Sequence, residues 1–147
     1  MNEEAKTCAL RLLDKRDVSR KMLLDKLSEK GITPEDAAEV ADWLCDLGVI
    51  NDARFAGLVV RHYAAKGYGK RRICEELFRR GIDKELWDEA LEELPEEDDA
   101  PVRLLRAKLR GEKPEGDALR RACAFLQRRG YSWEEISRAV EQVRQEG

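Results

Sequence analysis

A short pattern that occurs three times constrains this chain more than any other feature of its sequence. A leucine, three further residues that are mostly polar and a glycine occupy residues 27–31, 77–81 and 126–130. The three glycines stand 50 and 49 residues apart, and each follows a segment whose apolar residues have helical spacing. A glycine at this place ends a helix in the left-handed conformation. The chain is therefore predicted to contain three copies of one helical unit.

The three copies agree beyond the leucine and the glycine. Directly after the glycine, where a Schellman stop makes its hydrophobic contact, stand Ile32, Ile82 and Tyr131. Nine, ten and thirteen residues after each glycine, apolar side chains form the stripe of a further helix. A period near 50 residues built from helices indicates an α-helical repeat array, in which each unit stacks on its neighbour.

The predicted fold class is all-α, an elongated right- or left-handed array of three tandem three-helix repeats. The predicted boundaries are 1–50 for repeat one, 51–94 for repeat two, 95–101 for an acidic linker that contains prolines, and 102–147 for repeat three. Charged residues make up 40% of the chain and aromatic residues 6%, which suits a stack of small modules better than one large core.

Hydroxyl and acidic side chains predict where several helices begin. Ser19 and Thr33, with Pro34 after it, are predicted N-caps, and the side chains of Asn51 and Asp52 are predicted to cap a third helix. Asp83 is predicted to cap a helix that runs through Leu94, and Asp117 is predicted to cap the second helix of repeat three. Ser132 and Glu135 form a predicted capping box.

The chain offers little from which to build an active site. His62 is the one histidine, and it is interpreted as a tolerated helix residue. The four cysteines are far apart in sequence, so neither a zinc site nor a disulfide framework is predicted, and they are interpreted as small buried hydrophobes. Neither a cofactor nor a catalytic activity is expected.

No stretch approaches the roughly 18 apolar residues that a membrane span needs, and the N-terminus is acidic where a secretory signal would be basic. We therefore expect a cytoplasmic protein without membrane association, and a monomer.

The net charge of −3 conceals a strong alternation along the chain. Residues 54–80 hold eight Lys or Arg against two acids, and residues 103–129 hold nine against three, whereas residues 83–99 hold one against ten. If the repeats stack in register, a basic stripe lies along one side of the array and an acidic stripe along another. A basic stripe can follow a polyanion, and interface arginines also favour protein partners.

Two kinds of aromatic residue are distinguished by their positions. Trp43, Trp87 and Trp133 fall in the third helices and are expected to pack between helices or repeats. Tyr68 stands between Gly67 and Gly69 with bases on both sides, where it could stack on a nucleic-acid base or on a partner side chain.

Three stretches of the chain resemble the RecX family of recombination regulators, and together they cover nearly the whole sequence. They are Arg16-x-x-Ser19-x-x-x-Leu23-x-x-x-Leu27-x-x-x-Gly31; Asn51-Asp52-x-x-Phe55-Ala56 followed by Gly67-x-Gly69-x-x-Arg72-Ile73-x-x-x-Leu77-x-x-x-Gly81-Ile82; and Phe125-Leu126-x-x-Arg129-Gly130-Tyr131-x-x-x-x-Ile136. The middle stretch is the most specific. The loop at 110–116 and the missing Asn-Asp opening of repeat three depart from the pattern.

The resemblance implies a regulator of the RecA recombinase that binds along RecA filaments on single-stranded DNA. Inhibition of strand exchange and of ATP hydrolysis is the expected effect, with a role in DNA repair, DNA recombination and the SOS response. Contact with single- or double-stranded DNA itself is expected to be weak, because the chain is acidic overall.

Charge pattern and resemblance together select the candidate residues for contact with the partner or DNA. They are Tyr68, Lys70, Arg71, Arg72, Arg79 and Arg80, with Arg128 and Arg129 as their echo in repeat three.

Two alternatives remain open. A direct nucleic-acid-binding helical repeat protein would bind DNA tightly without a recombinase and with steep salt dependence. A solenoid-type protein-interaction scaffold would bind a helix or a peptide and leave RecA unaffected.

Overall fold

The computed structural model describes residues 1–95 and 98–146 and contains only helices and turns within these ranges. The all-α fold class is thereby confirmed. A short 3₁₀ turn, Lys84–Leu86, leads directly into α6. The α-helices of the described residues are α1 (Glu3–Lys15), α2 (Arg20–Glu29), α3 (Pro34–Asp46), α4 (Asp52–Ala65), α5 (Lys70–Arg79), α6 (Trp87–Leu91), α7 (Ala100–Leu109), α8 (Gly116–Arg128) and α9 (Trp133–Glu146).

Most of the predicted helix starts are confirmed by hydrogen bonds from the backbone to the capping side chain. Ser19 Oγ accepts from the Met22 N–H at 3.1 Å, and Asn51 Oδ1 accepts from the Arg54 N–H at 3.0 Å. Ser132 and Glu135 exchange two bonds, of 3.0 and 3.2 Å, as a capping box requires. These caps depend on residues within one turn, so a sequence pattern can predict them.

Two predicted helix starts need correction. Asp83 stands at the predicted N-cap position, before the 3₁₀ turn that leads into α6, but its side chain makes no capping bond, and the helix ends at Leu91 rather than Leu94. Leu94 precedes Pro95, and the residue before a proline disfavours the helical conformation. Asp117 does not cap α8 but lies in its first turn, where its carboxylate is favourable to the helix dipole.

The three repeated glycines end their helices as predicted. Gly31, Gly81 and Gly130 have φ angles of +84°, +68° and +96°. In each case the residue after the glycine donates its N–H to the carbonyl oxygen of the repeated leucine, at 3.0, 3.2 and 3.2 Å. This is the longer bond of a Schellman motif, so the repeat is a repeat of helix ends as well as of sequence.

The described chain divides into two compact units. Unit 1 comprises Met1–Val59 and Glu76–Ala90, and unit 2 comprises Val60–Glu75 and Leu91–Gly147. The division into three repeats with the linker at 95–101 stays a prediction. Glu96 and Glu97 of that linker and Gly147 of repeat three lie outside the described residues, while Ala100 and Pro101 form the first turn of α7.

Unit 1 has a core in which α1, α2 and α3 pack together. Leu23, Leu27, Val40 and Leu44 are at most 1% exposed. Trp43 and Cys45 pack against this core half-buried, so their predicted packing role is confirmed. Burial raises the pKa of the Cys45 thiol, which keeps the sulfur protonated and unreactive at neutral pH.

Unit 2 has a second core, formed by α7, α8 and α9. Leu105, Leu126 and Ile136 are at most 1% exposed, and Cys123 packs against them with a pKa raised by burial. Trp133 differs from the prediction, because 67% of it is exposed. It occupies the first position of α9, at the end of the helix.

Each unit contains a hydrogen bond from the start of one helix to the carbonyl oxygen just before a repeated glycine. In unit 1, Ser19 at the start of α2 is fully buried and donates its hydroxyl to the Arg80 carbonyl oxygen, just before Gly81. In unit 2, the Gly69 N–H at the start of α5 donates to the Arg129 carbonyl oxygen, just before Gly130, at 2.7 Å. The start of one repeat's second helix therefore joins the glycine stop of the next repeat's second helix.

Candidate functional site

The loop that precedes α5 is shaped by two glycines with different roles. Gly67 has a φ of +85° and ends α4, and the Tyr68 N–H behind it donates to the Tyr63 carbonyl oxygen at 3.0 Å. Gly69 does not adopt a positive φ. A Cβ there would lie 2.6 Å from the Gly130 carbonyl carbon, so only glycine permits this approach of the two backbones.

Backbone hydrogen bonds join the start of α5 to the end of α8. Besides the bond from Gly69, the Arg71 N–H donates to the Gly130 carbonyl oxygen at 3.2 Å. The Arg71 N–H is one of the donors that a helix start leaves without an intrahelical partner, so this bond satisfies it. Residues about 60 positions apart in sequence are thereby held side by side.

Tyr68 lies at the centre of this junction, close to two guanidinium groups. Its ring centroid is 5.1 Å from the Arg72 guanidinium carbon and 4.4 Å from that of Arg129. Arg129 also lies 5.1 Å from the Phe125 ring and donates from Nη1 to the Lys66 carbonyl oxygen at 3.0 Å. Cation–π contacts and this hydrogen bond hold Arg72 and Arg129 in place within unit 2.

Tyr131 is a buried residue that supports the loop before α5. It is 2% exposed, and its hydroxyl donates to the Gly67 carbonyl oxygen at 2.9 Å. Burial raises the pKa of Tyr131 to about 12, because the charged phenolate would lose its hydration. The Tyr131 hydroxyl stays protonated at physiological pH and donates to the Gly67 carbonyl oxygen.

We call the group of Tyr68, Lys70, Arg71, Arg72, Arg128 and Arg129 the Tyr68 cluster. Lys70, Arg71 and Arg128 are its exposed members, and Arg71 Nη2 also donates to the Gln127 carbonyl oxygen at 2.6 Å. In the sequence, Arg128 and Arg129 are the counterparts in repeat three of Arg79 and Arg80. The fold instead places them beside the start of α5.

Arg79 and Arg80 belong to unit 1 and bind an acid there. Glu76 is 3% exposed and accepts from Arg79 at 3.1 Å and from Arg80 at 2.5 Å. The Arg80 side chain is 25% exposed, whereas that of Arg79 is 65% exposed. Arg80 therefore has a structural role, and Arg79 is the member of this pair that solvent reaches.

The first turn of α5 is electrostatically unusual. It holds Lys70, Arg71 and Arg72 and no acid, although the N-terminus of a helix carries partial positive charge. The bases at the end of α8, by contrast, lie where the dipole favours cations. The helix dipole therefore favours a base at the position of Arg128 and disfavours one at the position of Lys70, so the stability of the fold does not account for Lys70.

The candidate site contains residues that sequence reasoning missed. Gly69, Phe125 and Tyr131 shape or support the Tyr68 cluster, and none of them was selected as a candidate. A phenol at position 131, where the other repeats have Ile32 and Ile82, was the available signal for a hydrogen bond at this place.

The described residues offer no place for a metal or for insertion into a membrane. Over 1–95 and 98–146, no group of three or more His, Cys, Asp or Glu side chains could hold a metal ion. Within the same part of the chain, no helix is both long and apolar enough to cross a membrane.

Fold and site together define a tandem three-helix repeat protein whose candidate site is a basic binding surface. Two family models match the chain: the first three-helix domain of RecX over residues 5–44, and its second three-helix domain over residues 51–91. The chain belongs to the RecX family of regulatory proteins.

Similar proteins of this family match most of the chain. The regulatory protein RecX of Chromohalobacter salexigens is 37% identical over 135 residues, which cover 90% of this chain and 88% of that protein. The one from Halorhodospira halophila is 35% identical over 142 residues, which cover 95% and 88%.

Solved structures of the family share the fold. The crystal structure of RecX from Lactobacillus salivarius has a TM-score of 0.85 at 23% identity and covers 96% of this chain and 95% of its own. A crystal structure of another regulatory protein RecX has a TM-score of 0.83 at 19% identity and covers 95% and 72%. Tandem three-helix repeats are therefore the shared architecture.

Proposed function

We propose that this protein binds RecA filaments on single-stranded DNA and inhibits their ATP hydrolysis and strand exchange. It would act in DNA repair and recombination and in the SOS response, in the cytoplasm where RecA works. Membership of the RecX family supports a regulatory role, and the basic Tyr68 cluster supports a surface that contacts an acidic partner.

The observation that carries the proposal is the set of bases in the first turn of α5. Three cations at a helix N-terminus oppose the helix dipole, and each costs roughly 0.3–1 kcal/mol at an exposed position. Two of them, Lys70 and Arg71, are exposed, and Arg71 donates to the carbonyl oxygen of Gln127, the residue before the exposed Arg128. A bound acidic surface would offset the cost that the isolated chain bears.

Different members of the Tyr68 cluster take different roles in this proposal. Lys70, Arg71 and Arg128 contact the filament. Tyr68, Arg72 and Arg129 position them, because their side chains already pack on one another. Arg79 is an additional contact in unit 1, and Arg80 has a structural role there through its ion pair with Glu76.

The test is the single-stranded-DNA-dependent ATPase of RecA from the same organism with this protein titrated in. The variant Lys70→Ser/Arg71→Ser/Arg128→Ser should need at least about tenfold more protein for the same inhibition, since three exposed contacts are lost. The matched control is Arg11→Ser/Lys15→Ser/Lys113→Ser, which removes the same charge from other exposed positions. It should inhibit as the unchanged protein does.

Binding of each protein to the same DNA without RecA separates the proposal from direct nucleic-acid binding. Inhibition that follows DNA affinity across all three proteins would favour a competitor for DNA. An ATPase that no amount of the unchanged protein lowers would contradict the proposal and leave the scaffold alternative.

A further inference from the structure

Phe78 occupies a position that the fold does not explain. In the helices that end at Gly31 and Gly130, the corresponding residues are the polar Ser28 and Gln127, and both are exposed. Phe78 is 73% exposed. An aromatic ring at a solvent position of a repeat contributes nothing to the core, so a partner is the physical reason to look for.

Phe78 lines a groove that is built entirely from residues of unit 1. Leu24, Ile82 and Trp87 provide its other apolar surface. Ile82 is buried, and its carbonyl oxygen accepts from the Trp87 indole N–H at 2.9 Å, which holds the indole in place. The groove is open to solvent and has a volume of about 800 Å³, enough for a large apolar side chain and its neighbours.

The walls of the groove are held by contacts that α2 makes with the start of α4 and with the turn after α5. Ser19 donates to the Arg80 carbonyl oxygen, and the Arg20 N–H donates to Asp52 Oδ1 at 2.9 Å. The stem of Lys21 packs over Gly81 so closely that a Cβ there would lie 2.3 Å from Lys21 Cδ. The groove therefore exists before any partner binds.

The rim of the groove is basic although the unit around it is acidic. Four bases line it, Arg20, Lys21, Arg79 and Lys84, against the two acids Asp52 and Asp83. Unit 1 as a whole holds 12 Lys and Arg against 17 Asp and Glu, a net charge of −5. Positive charge is thus concentrated at the apolar groove.

Two ion pairs on this rim are open to exchange. Arg20 binds Asp42 at 2.7 Å and Lys21 binds Asp25 at 3.1 Å, and both acids are exposed, whereas the Glu76 partner of Arg79 is buried. Exposed pairs of this kind contribute roughly 0–1 kcal/mol. The carboxylates of an incoming segment can replace or extend them at little cost.

We propose that this groove binds a short acidic peptide segment of a partner protein, with one aromatic or aliphatic side chain of that segment seated beside Phe78 and Trp87. The basic rim fits carboxylates, and the aliphatic floor fits an apolar anchor. An extended nucleic acid fits less well, because the net charge of unit 1 repels its phosphates beyond the groove. This proposal is independent of RecA.

The probe is a fluorescein-labelled peptide of about twelve residues, Asp and Glu on either side of one central Phe, measured by anisotropy with the full chain. Phe78→Ser should weaken binding by about tenfold or more, because the anchor loses its partner ring. Lys84→Glu should weaken it severalfold through charge repulsion. The matched controls are Leu47→Ser, which removes a side chain of a residue 59% exposed, and Lys15→Glu.

Circular dichroism of each variant distinguishes lost binding from lost folding, and Phe78→Ser should unfold at the same temperature as the unchanged protein. Absence of binding at about 1 mM peptide would overturn the proposal. So would equal binding of a peptide whose Phe is replaced by Ser. Phe78-dependent binding of a thymidine oligonucleotide, with no binding of the peptide, would assign the groove to nucleic acid instead.

Discussion

Gly31 and Gly130 end equivalent helices, but their surroundings differ. Both have positive φ angles, of +84° and +96°. A Cβ at position 31 would meet no atom within 4 Å, whereas a Cβ at position 130 would lie 2.5 Å from the Arg72 backbone nitrogen. The conformation of the first glycine is constrained locally, and that of the second is constrained by packing as well.

Gly31→Ala is expected to lower the free energy of unfolding by about 1–2 kcal/mol, the strain of a left-handed alanine. Gly130→Ala should lower it by about 2–5 kcal/mol, since the backbone of α5 must also move. Urea unfolding followed by circular dichroism measures both. Equal losses would mean that the two backbones do not approach as closely as described.

Tyr131 makes the stability of unit 2 sensitive to alkaline pH. Its pKa is raised from 10 to about 12 in the folded chain by burial, so unfolding releases its proton more easily. The contribution is fully present below pH ~10, and it is lost as pH rises from about 10 through about 12. We expect urea midpoints to fall across this window.

Tyr131→Phe is the control for this pH dependence. It should cost about 1 kcal/mol at neutral pH, because the Gly67 carbonyl oxygen loses its donor. Above pH ~10 the gap between the two proteins should shrink, since phenylalanine does not ionise. A constant gap at all pH values would show that the Tyr131 phenol does not titrate late.

Arg79 and Arg80 separate a surface role from a structural one. Arg80→Ala should lower the free energy of unfolding by about 2 kcal/mol, because it leaves buried Glu76 with a weaker set of partners. Arg79→Ala should cost about 0.5 kcal/mol or less, because the Arg79 side chain is mostly exposed and Arg80 stays bound to Glu76. Chemical unfolding measures the loss in free energy of unfolding for each variant. A larger loss for Arg79→Ala than for Arg80→Ala would contradict these assignments.

At the scale of the element, α5 is a helix whose first turn opposes its own dipole. Lys70→Glu replaces an exposed cation by an anion there and should raise the free energy of unfolding by about 0.5–1 kcal/mol. The same change should weaken inhibition of the RecA ATPase. A variant that is more stable and less active is the signature of a base retained for a partner.

Lys113→Glu makes the same charge change in the loop before α8 and serves as the comparison for Lys70→Glu. It should leave both the stability and the ATPase inhibition close to their starting values. Loss of stability in Lys70→Glu would indicate that the amine is bound within the chain and would remove the electrostatic reason for assigning it to a partner.

The ends of helices were predictable from the sequence wherever they depend on hydrogen bonds between residues within one helical turn. Ser19, Thr33 and the Ser132 box cap as expected, because the donor and acceptor lie three residues apart. Asp117 was wrong as a cap, since an acid is also favourable in the first turn, and Asp83 stands at its cap position without a side-chain bond. The end of α6 depends on Pro95 and on packing beyond it.

At the scale of the whole molecule, the charge is divided unevenly. Unit 2 holds 16 Lys and Arg against 14 Asp and Glu, a net charge of +2, whereas unit 1 is at −5. The chain as a whole is at −3. Long-range attraction to DNA is therefore weak, and any contact is confined to local basic surface such as the Tyr68 cluster.

Without RecA, the protein should bind a single-stranded oligonucleotide weakly, with a dissociation constant of about 10 µM or more at physiological salt. Three exposed bases in contact with phosphates predict a slope of about −2 for the logarithm of affinity against that of salt concentration. Anisotropy at several salt concentrations measures both quantities. A slope of about −4 or steeper would mean that a larger basic surface binds DNA.

The sequence by itself determined the helical repeat, the glycine stops and most helix starts. A glycine in the left-handed conformation and a hydroxyl at an N-cap each act on residues within about four positions. The local sequence therefore contains every group that takes part in the interaction. It also identified every charged member of the Tyr68 cluster as a basic residue of equivalent helices.

Only the tertiary structure decided which of those bases lie together and which are already engaged. Arg129 meets Tyr68 because Gly69 and Gly130 let two backbones approach, and Arg80 is engaged because packing buries the Glu76 carboxylate one turn before it. Phe78 is exposed only because packing placed the opposite side of α5 inward. Contacts between residues about 60 positions apart depend on packing of the whole core, which no local rule contains.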